Sequence, residues 1–288
     1  MEKILIVTDS ASDISYENEE KYGIRVLPFQ VAMDGKSYTS RQDFDNRKFY
    51  ELLEASAEIP ATSQITPFEF ETLYQEFADA GYTDAILILI NAEGSATYGN
   101  AVMAAEQFRQ AHPQAALRIH PIDSRTYTGG YGHIVVRAAQ MAQQGAPVEE
   151  ILAAVHDWVD NALIYAGLYT LKYAAKSGRI PSAAAFVGDM IGMKPIMRIW
   201  DHVITTGDKV RGEKNIIPFI VKKTVENIVP GDEYCVVYGK EEADREEMTA
   251  AMTEALGYPP ADIYQIGAAI AINAGPRVVG TIFKQKKQ

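Results

Sequence analysis

Three short clusters in this chain combine hydroxyl, amide and small residues in the pattern of an anion-binding turn. Gly94-Ser95-Ala96-Thr97-Tyr98 follows an apolar run and opens a helical pattern. Backbone N–H groups, the helix dipole and the Ser95 hydroxyl could there hold a carboxylate or phosphate. Ala61-Thr62-Ser63-Gln64-Ile65-Thr66-Pro67 places two hydroxyls and an amide just before another helix. Asn273-Ala274-Gly275-Pro276 follows the apolar run Ala268–Ile272, read as a strand, and leaves Asn273 as a short donor beside a Gly-Pro turn. Each has a plainer reading, because Ser95, Ser63 and Thr66 are also ordinary helix caps. Asp9-Ser10 and Asp123-Ser124 end apolar strands as well. Aspartates repel a carboxylate, so these read as residues that order loops.

Other chemistries lack their residues. There is no G-x-x-x-x-G-K-[ST] phosphate loop, and Gly129-Gly130-Tyr131-Gly132 is only a weak glycine cluster at a helix start. Ser95 is followed by Ala96 and Thr97, so no G-x-S-x-G elbow exists. His112, His120, His133, His156 and His202 show no metal-ligand spacing and read as structural or solvent-facing. The single cysteine, Cys235, lies in an apolar run and reads as a buried, inert thiol; alone it forms no intramolecular disulfide and no multi-cysteine metal site. No metal or cofactor is expected.

The net charge of the 288 residues is −11, from 27 Lys and Arg against 38 Asp and Glu, which argues against a nucleic-acid partner. The balance reverses locally: Lys172 to Lys223 holds ten basic and four acidic residues, a net +6. Within it Arg179, Lys194 and Arg211 are the leading candidates to face a protein partner or a phosphate rather than an apolar ligand, with a mixed solvated surface as the plain alternative. The start, Met1 to Asp9, lacks the apolar core of a signal peptide, and no stretch approaches 18 uninterrupted apolar residues. A cytoplasmic protein without an integral membrane segment is expected.

The elements that must carry these clusters follow from periodicity. Residues 3–8, 24–29, 84–90 and 117–122 read as strands, the third a continuous apolar run suited to a parallel strand covered on both faces. Asp34-Gly35 reads as a hairpin turn between 30–32 and 36–38. Helices are predicted over 45–55 (Phe49, Leu52 and Leu53 inward), from Thr66-Pro67 onward (Phe68, Leu73 and Phe77 inward), and over 95–111, 127–144 and 148–160. Strand and helix alternate in this half, which implies a parallel α/β/α sheet. After residue 160, strands are predicted at 164–170, 195–199, 202–206, 234–239, 263–266 and 278–284, with Asp201-His202 as a tight turn and helices at 181–190, 214–227 and 243–255. Neighbouring strands without a helix between them imply a mixed or antiparallel sheet. The expected architecture is α/β with two domains, 1–160 and 161–288.

In this order the clusters resemble the DegV family from end to end. The matching segments are VTDSASD at the amino terminus, ATSQITP at 61–67, GSATYGNA at 94–101 and IDS at 122–124. They continue with LKYAAKSGRI at 171–180, KPIM at 194–197 with Asp201, and AGP at 274–276. The resemblance implies a two-domain protein that binds one long-chain fatty acid in an apolar tunnel between the domains. The carboxylate would be held by the hydroxyls of Thr62 and Ser95, with Ser63, Ala96 and Asn273 close by. It further implies a non-catalytic subunit of a bacterial fatty acid kinase, whose separate ATP-binding subunit phosphorylates the carboxylate. A stand-alone lipid carrier or sensor is the alternative, and a serine-dependent acyl hydrolase a weaker one, since no histidine stands at a recognisable spacing from Ser95. Three positions depart from the family pattern. Asn273 and Arg277 stand where the family has histidine and glycine in His-x-Gly-Pro-Gly, and Ala96 replaces the glycine of Ser-Gly-Thr-Tyr.

Overall fold

The computed structural model describes residues 2–180 and 192–286. The first half is built on a four-stranded, wholly parallel sheet in the order β2-β1-β6-β7, formed by β1 (Ile4–Asp9), β2 (Arg25–Leu27), β6 (Asp84–Leu89) and β7 (Arg118–Asp123). All six residues of β6 are buried, as its unbroken apolar run requires of a central strand covered on both faces. Around it pack α1 (Tyr16–Tyr22), α2 (Asn46–Ala55), α3 (Pro67–Asp79), α4 (Thr97–Ala111), α5 (Gly129–Gln143) and α6 (Val148–Asn161).

A small antiparallel sheet, β4-β3-β5, stands beside it: β3 (Gln30–Met33), β4 (Lys36–Thr39) and β5 (Ala61–Ser63). Asp34 and Gly35 both take positive φ, 48° and 74°, the type I′ signature that their sequence predicts.

The second half carries a six-stranded mixed sheet in the order β10-β9-β8-β13-β11-β12. Its strands are β8 (Ala162–Leu168), β9 (Met193–Trp200), β10 (Val203–Arg211), β11 (Tyr234–Tyr238), β12 (Asp262–Gln265) and β13 (Val278–Lys284). Every pairing is antiparallel except β11 with β12. Asp201 and His202 turn β9 into β10 with φ of 44° and 69°, as expected of a two-residue loop. Helices α7 (Lys172–Ser177), α8 (Ile216–Asn227), α9 (Glu242–Leu256) and α10 (Ala268–Ala274) complete the chain.

Two expectations are corrected. The run Ala268–Ile272 is not a strand but lies in α10, because a short buried apolar run carries no periodicity that separates strand from helix, and alanine favours the helix. In α3 the inward face is Phe70, Tyr74 and Phe77, while Phe68 is 76% exposed. In α2, Tyr50 joins Phe49 and Leu53 in the core, and Leu52 is partly buried against it. Residues 61–63 form β5, which ends just before α3. The helix expected over 181–190 lies outside the described residues. Among the described residues, no helix is long and apolar enough to cross a membrane.

Candidate functional site

The carboxyl ends of β1 and β6 meet at one edge of the parallel sheet, where ligands bind in open α/β folds. Two carboxylates shape that edge, Asp9 buried and Asp123 half-buried. Asp9 accepts the Ala11 N–H through Oδ1 and the Ile90 N–H through Oδ2, and the Tyr131 hydroxyl donates to Oδ1 at 2.6 Å. Asp123 accepts the Ala92 and Arg125 N–H groups. Both therefore order loops.

Between them sits Asn91, fully buried. Its Nδ2 donates to the His202 carbonyl oxygen at 3.0 Å and to the Tyr127 hydroxyl at 3.1 Å. Its Oδ1 accepts the Glu93 N–H and pairs with His202 Nδ1 at 2.9 Å. This one side chain ties the β6–α4 loop to the β9–β10 turn. Tyr127 crosses so close to Gly94 that a Cβ there would stand 2.7 Å from its hydroxyl, so any larger residue would displace Tyr127.

Two of the sequence clusters are joined by α4. Thr97, wholly buried, receives the Ile65 N–H on Oγ1 at 3.4 Å, and Asn100 donates to the Ile65 carbonyl at 2.7 Å. Thr97 Oγ1 stands 2.9 Å from Ser95 Oγ, which also accepts the Thr97 N–H at 3.3 Å. Helix α4 starts at Thr97 with Ala96 at its N-cap and no side-chain cap, so Ser95 sits one residue outside the conventional capping position.

These loops close one end of a cavity of about 450 Å³, a size typical of small-ligand sites. Its polar lining comprises Thr62, Gln64, Glu93, Ser95, Tyr127, Arg179 and Asn273, and Ala96 also lines it. The remaining wall is mainly apolar and comes from the second sheet and α10, including Ile164, Met197, Ile199, Val237, Ile270 and Val278. Burial raises the Tyr127 phenol above its ordinary pKa, which keeps it protonated. Since Tyr127 already accepts from Asn91, its proton is free to donate.

The structure thus brings Thr62, Ser95, Ala96, Asn273 and Arg179 to one cavity. Three other candidates lie elsewhere. Ser63 is exposed and does not line it: strand alternation turns Ser63 to the opposite face from Thr62, and Gln64 takes the lining position. Lys194 is committed to the Tyr169 carbonyl at 2.7 Å and to Glu213 at 2.9 Å rather than facing a partner or phosphate. Arg211, at the end of β10, is exposed and outside the lining. Arg179 does not separate from the apolar ligand space as expected; it lines both this cavity and an adjoining groove with Ser177, Asp201 and His202.

Asn273 sits in the last turn of α10 and donates from Nδ2 to the Ala269 carbonyl at 2.8 Å. Arg277 points into a different network. It forms a two-pronged pair with Asp244, at 2.8 and 2.9 Å, reaches Glu213 at 2.9 Å, and lies 3.8 Å over the Tyr169 ring. The Asp244 bonds hold its pKa above the ordinary value.

Cys235, His133 and Glu233 line up with nucleophile-like spacing: Sγ to Nδ1 at 3.4 Å and Nε2 to Oε1 at 2.9 Å. The thiol is nevertheless fully buried, and burial pushes its pKa up, so it is inert.

The family model described as "Uncharacterised protein, DegV family" matches residues 3–286. The chain belongs to the DegV family. A DegV domain-containing protein from Caldanaerobacter subterraneus subsp. tengcongensis is 33% identical, covering 99% of this chain and 100% of that protein. One from Staphylococcus aureus is 32% identical, over 78% of this chain and 76% of its own. Among solved structures, a fatty-acid-binding DegV family protein from Thermus thermophilus superposes with a TM-score of 0.82 at 25% identity, over 99% and 100% of the two chains. A stearic-acid-binding protein from Eubacterium ventriosum superposes at 0.86 with 22% identity, over 99% and 98%. The mixed α/β fold of this DegV protein is theirs.

Proposed function

We propose that this DegV protein binds one long-chain fatty acid, with its carboxylate at Thr62, Ser95 and Asn273 and its acyl chain along the apolar wall. The observation that carries this reading is the make-up of the cavity wall: mainly aliphatic side chains, with a small set of hydroxyls and amides among them. Hydrogen-bond bookkeeping supports the head-group assignment. When Thr97 donates its hydroxyl proton to Ser95, the Ser95 proton is left free for an anionic acceptor, as is that of Tyr127. Burying on the order of 15 methylenes at roughly 0.8 kcal/mol each supplies up to about 12 kcal/mol before association costs, so a head-group site without strong charge suffices. The solved relatives described as fatty-acid-binding proteins point the same way.

In this reading the chain comprises two domains, 1–160 and 161–288, and the cavity, lined from both, is the lipid tunnel. The protein presents the carboxylate to a separate ATP-binding kinase subunit. Supporting this are the family resemblance, the lack of a phosphate loop in the sequence, and Arg179 in the cavity lining, a cation of the kind a transferred phosphoryl group needs. A stand-alone carrier is the second reading, favoured by Asn273, which cannot shuttle a proton. Hydrolysis by Ser95 is disfavoured because Thr97, not a histidine, is its partner among the described residues. The test of kinase presentation is acyl phosphate formation when the delipidated protein, oleate, ATP and a kinase subunit from a DegV-bearing bacterium are combined. Product only in the presence of this chain supports the reading.

A further inference from the structure

Asp13 is 8% exposed and lines a second pocket with Arg41, Asn46 and Gly267, adjoining the first cavity through Thr128 and α10. Its Oδ1 accepts the Gly267 N–H at 2.9 Å, and Gly267 is the N-cap of α10, the helix that carries Asn273. The Thr128 hydroxyl lies against the same carboxyl, and Thr128 lines the cavity. Neither Asp13 Oδ2 nor Thr128 Oγ1 has a well-formed hydrogen bond, although both are buried. Both residues also hold backbone conformations that L-residues avoid, Asp13 at φ 55° and Thr128 at φ 50°, ψ −145°. Strain in a β-branched residue and an unsatisfied buried pair at one point of a cavity wall call for a functional explanation.

We propose that Asp13 is a positioning residue of the head-group cavity, joining Thr128 on one wall to the helix that bears Asn273, and that it takes up a proton when an anionic ligand fills the cavity. This rests on the reading of the cavity as a carboxylate site. The groups facing Asp13 decide which acid responds. Asp9 at the end of β1 adds negative charge, but three donors hold its carboxylate. Asp13 has one good donor, Gly267 N–H. Arg41, from the loop after β4, attracts Asp13, though its guanidinium is shared with Glu19 and the Ile14 carbonyl. Tyr50 of α2 and Tyr131 of α5 also feel Asp13, and burial keeps both as neutral phenols. Asp13 is therefore the least compensated acid. Burial brings its pKa to about 7, within reach of a proton at neutral pH. An added carboxylate in the cavity repels ionised Asp13 and raises its affinity for a proton; by reciprocity, protonation tightens the ligand. The ligand's own carboxyl, with an ordinary pKa of about 4.3, stays ionised across this range.

The test is isothermal titration of laurate into delipidated protein between pH 6 and 8, in buffers of different ionisation enthalpy. Native protein should take up a fraction of a proton per laurate near pH 7 and bind roughly fivefold more tightly at pH 6 than at pH 8. Asp13→Asn should bind with no uptake and a flat profile. Thr128→Val, which removes the hydroxyl that favours ionised Asp13, should shift the transition to higher pH. Laurate binding without proton uptake in the native protein, or unchanged uptake in Asp13→Asn, overturns the proposal and leaves the fatty-acid reading standing. If Asp13→Asn does not fold, an unshifted Thr128→Val profile overturns it. Failure of the native protein to bind laurate at any pH overturns the fatty-acid reading and the proposal together.

Discussion

Thr97 Oγ1 lies 2.9 Å from Ser95 Oγ and accepts the N–H of Ile65, two residues beyond the end of β5. One buried hydroxyl thus connects two clusters that the sequence places thirty residues apart, and it explains how Thr62 and Ser95 reach the same cavity. The link also orients the Ser95 proton. Its removal by Thr97→Val should weaken fatty-acid binding although Thr97 itself is buried, and a competition assay with a fluorescent fatty acid reads the change. Unchanged affinity would mean that Ser95 needs no orienting partner.

Removing the head-group hydroxyls directly should cost more. The double substitution Ser95→Ala with Thr62→Ala should weaken binding by roughly 1–3 kcal/mol, the cost of leaving a charged acceptor short of donors. Equal affinity of double mutant and parent, by the same competition assay, would remove both residues from the head-group site.

The basic residues should separate. Arg179 lines the cavity, whereas Arg211 is exposed and outside it. Arg179→Glu should slow fatty-acid association and alter its salt dependence, as charge changes at a rim do. Arg211→Glu should leave lipid binding unchanged. Stopped-flow association at two ionic strengths distinguishes them, and identical behaviour of the two variants would refute a role for Arg179 in ligand entry.

Asn273→His should add a titration near pH 6.5 to the affinity profile, on top of any contribution from Asp13, because histidine gains a positive charge that asparagine cannot. With a kinase partner supplied, the same variant should raise acyl phosphate formation. A profile and rate identical to the parent's would place residue 273 outside the head-group contacts.

Stability should depend on pH in a direction set by two buried acids. Burial raises the Asp9 pKa to about 6 and the Asp13 pKa to about 7, above the ordinary 3.8. The folded state therefore holds these protons more tightly than the unfolded chain. Their stabilising effect is complete below about pH 3.8 and is lost as the pH rises through 6 to 7. Between pH 5 and 8 Asp13→Asn should flatten the fall in Tm with rising pH. A steeper fall in the mutant would contradict the assignment.

The backbone was legible wherever a local rule acts alone. Asp34-Gly35 and Asp201-His202 occupy the positive-φ turns that short polar or glycine residues favour, and the unbroken run of β6 marks a buried parallel strand. Local rules fail where the environment is uniform. Helix α10 is apolar on every side that packs, so no period distinguishes it from a strand. Phe68 differs from Phe70 only in which face of α3 meets the core, a matter of tertiary packing. The site was legible in part. Thr62, Ser95 and Asn273 stand in hydroxyl- or amide-bearing turns, a visible pattern. Asn91 was not legible, since its partner His202 lies 111 residues away and only the folded chain brings them together. Gln64 could have been found: alternation from Thr62 along β5 points to it and away from Ser63.

The most direct test of the account is native mass spectrometry of the purified protein. The fatty-acid reading predicts a 1:1 adduct whose released ligand has the mass of a long-chain fatty acid, lost on delipidation and restored by added oleate. A protein that carries no lipid as purified and gains no oleate adduct would contradict it.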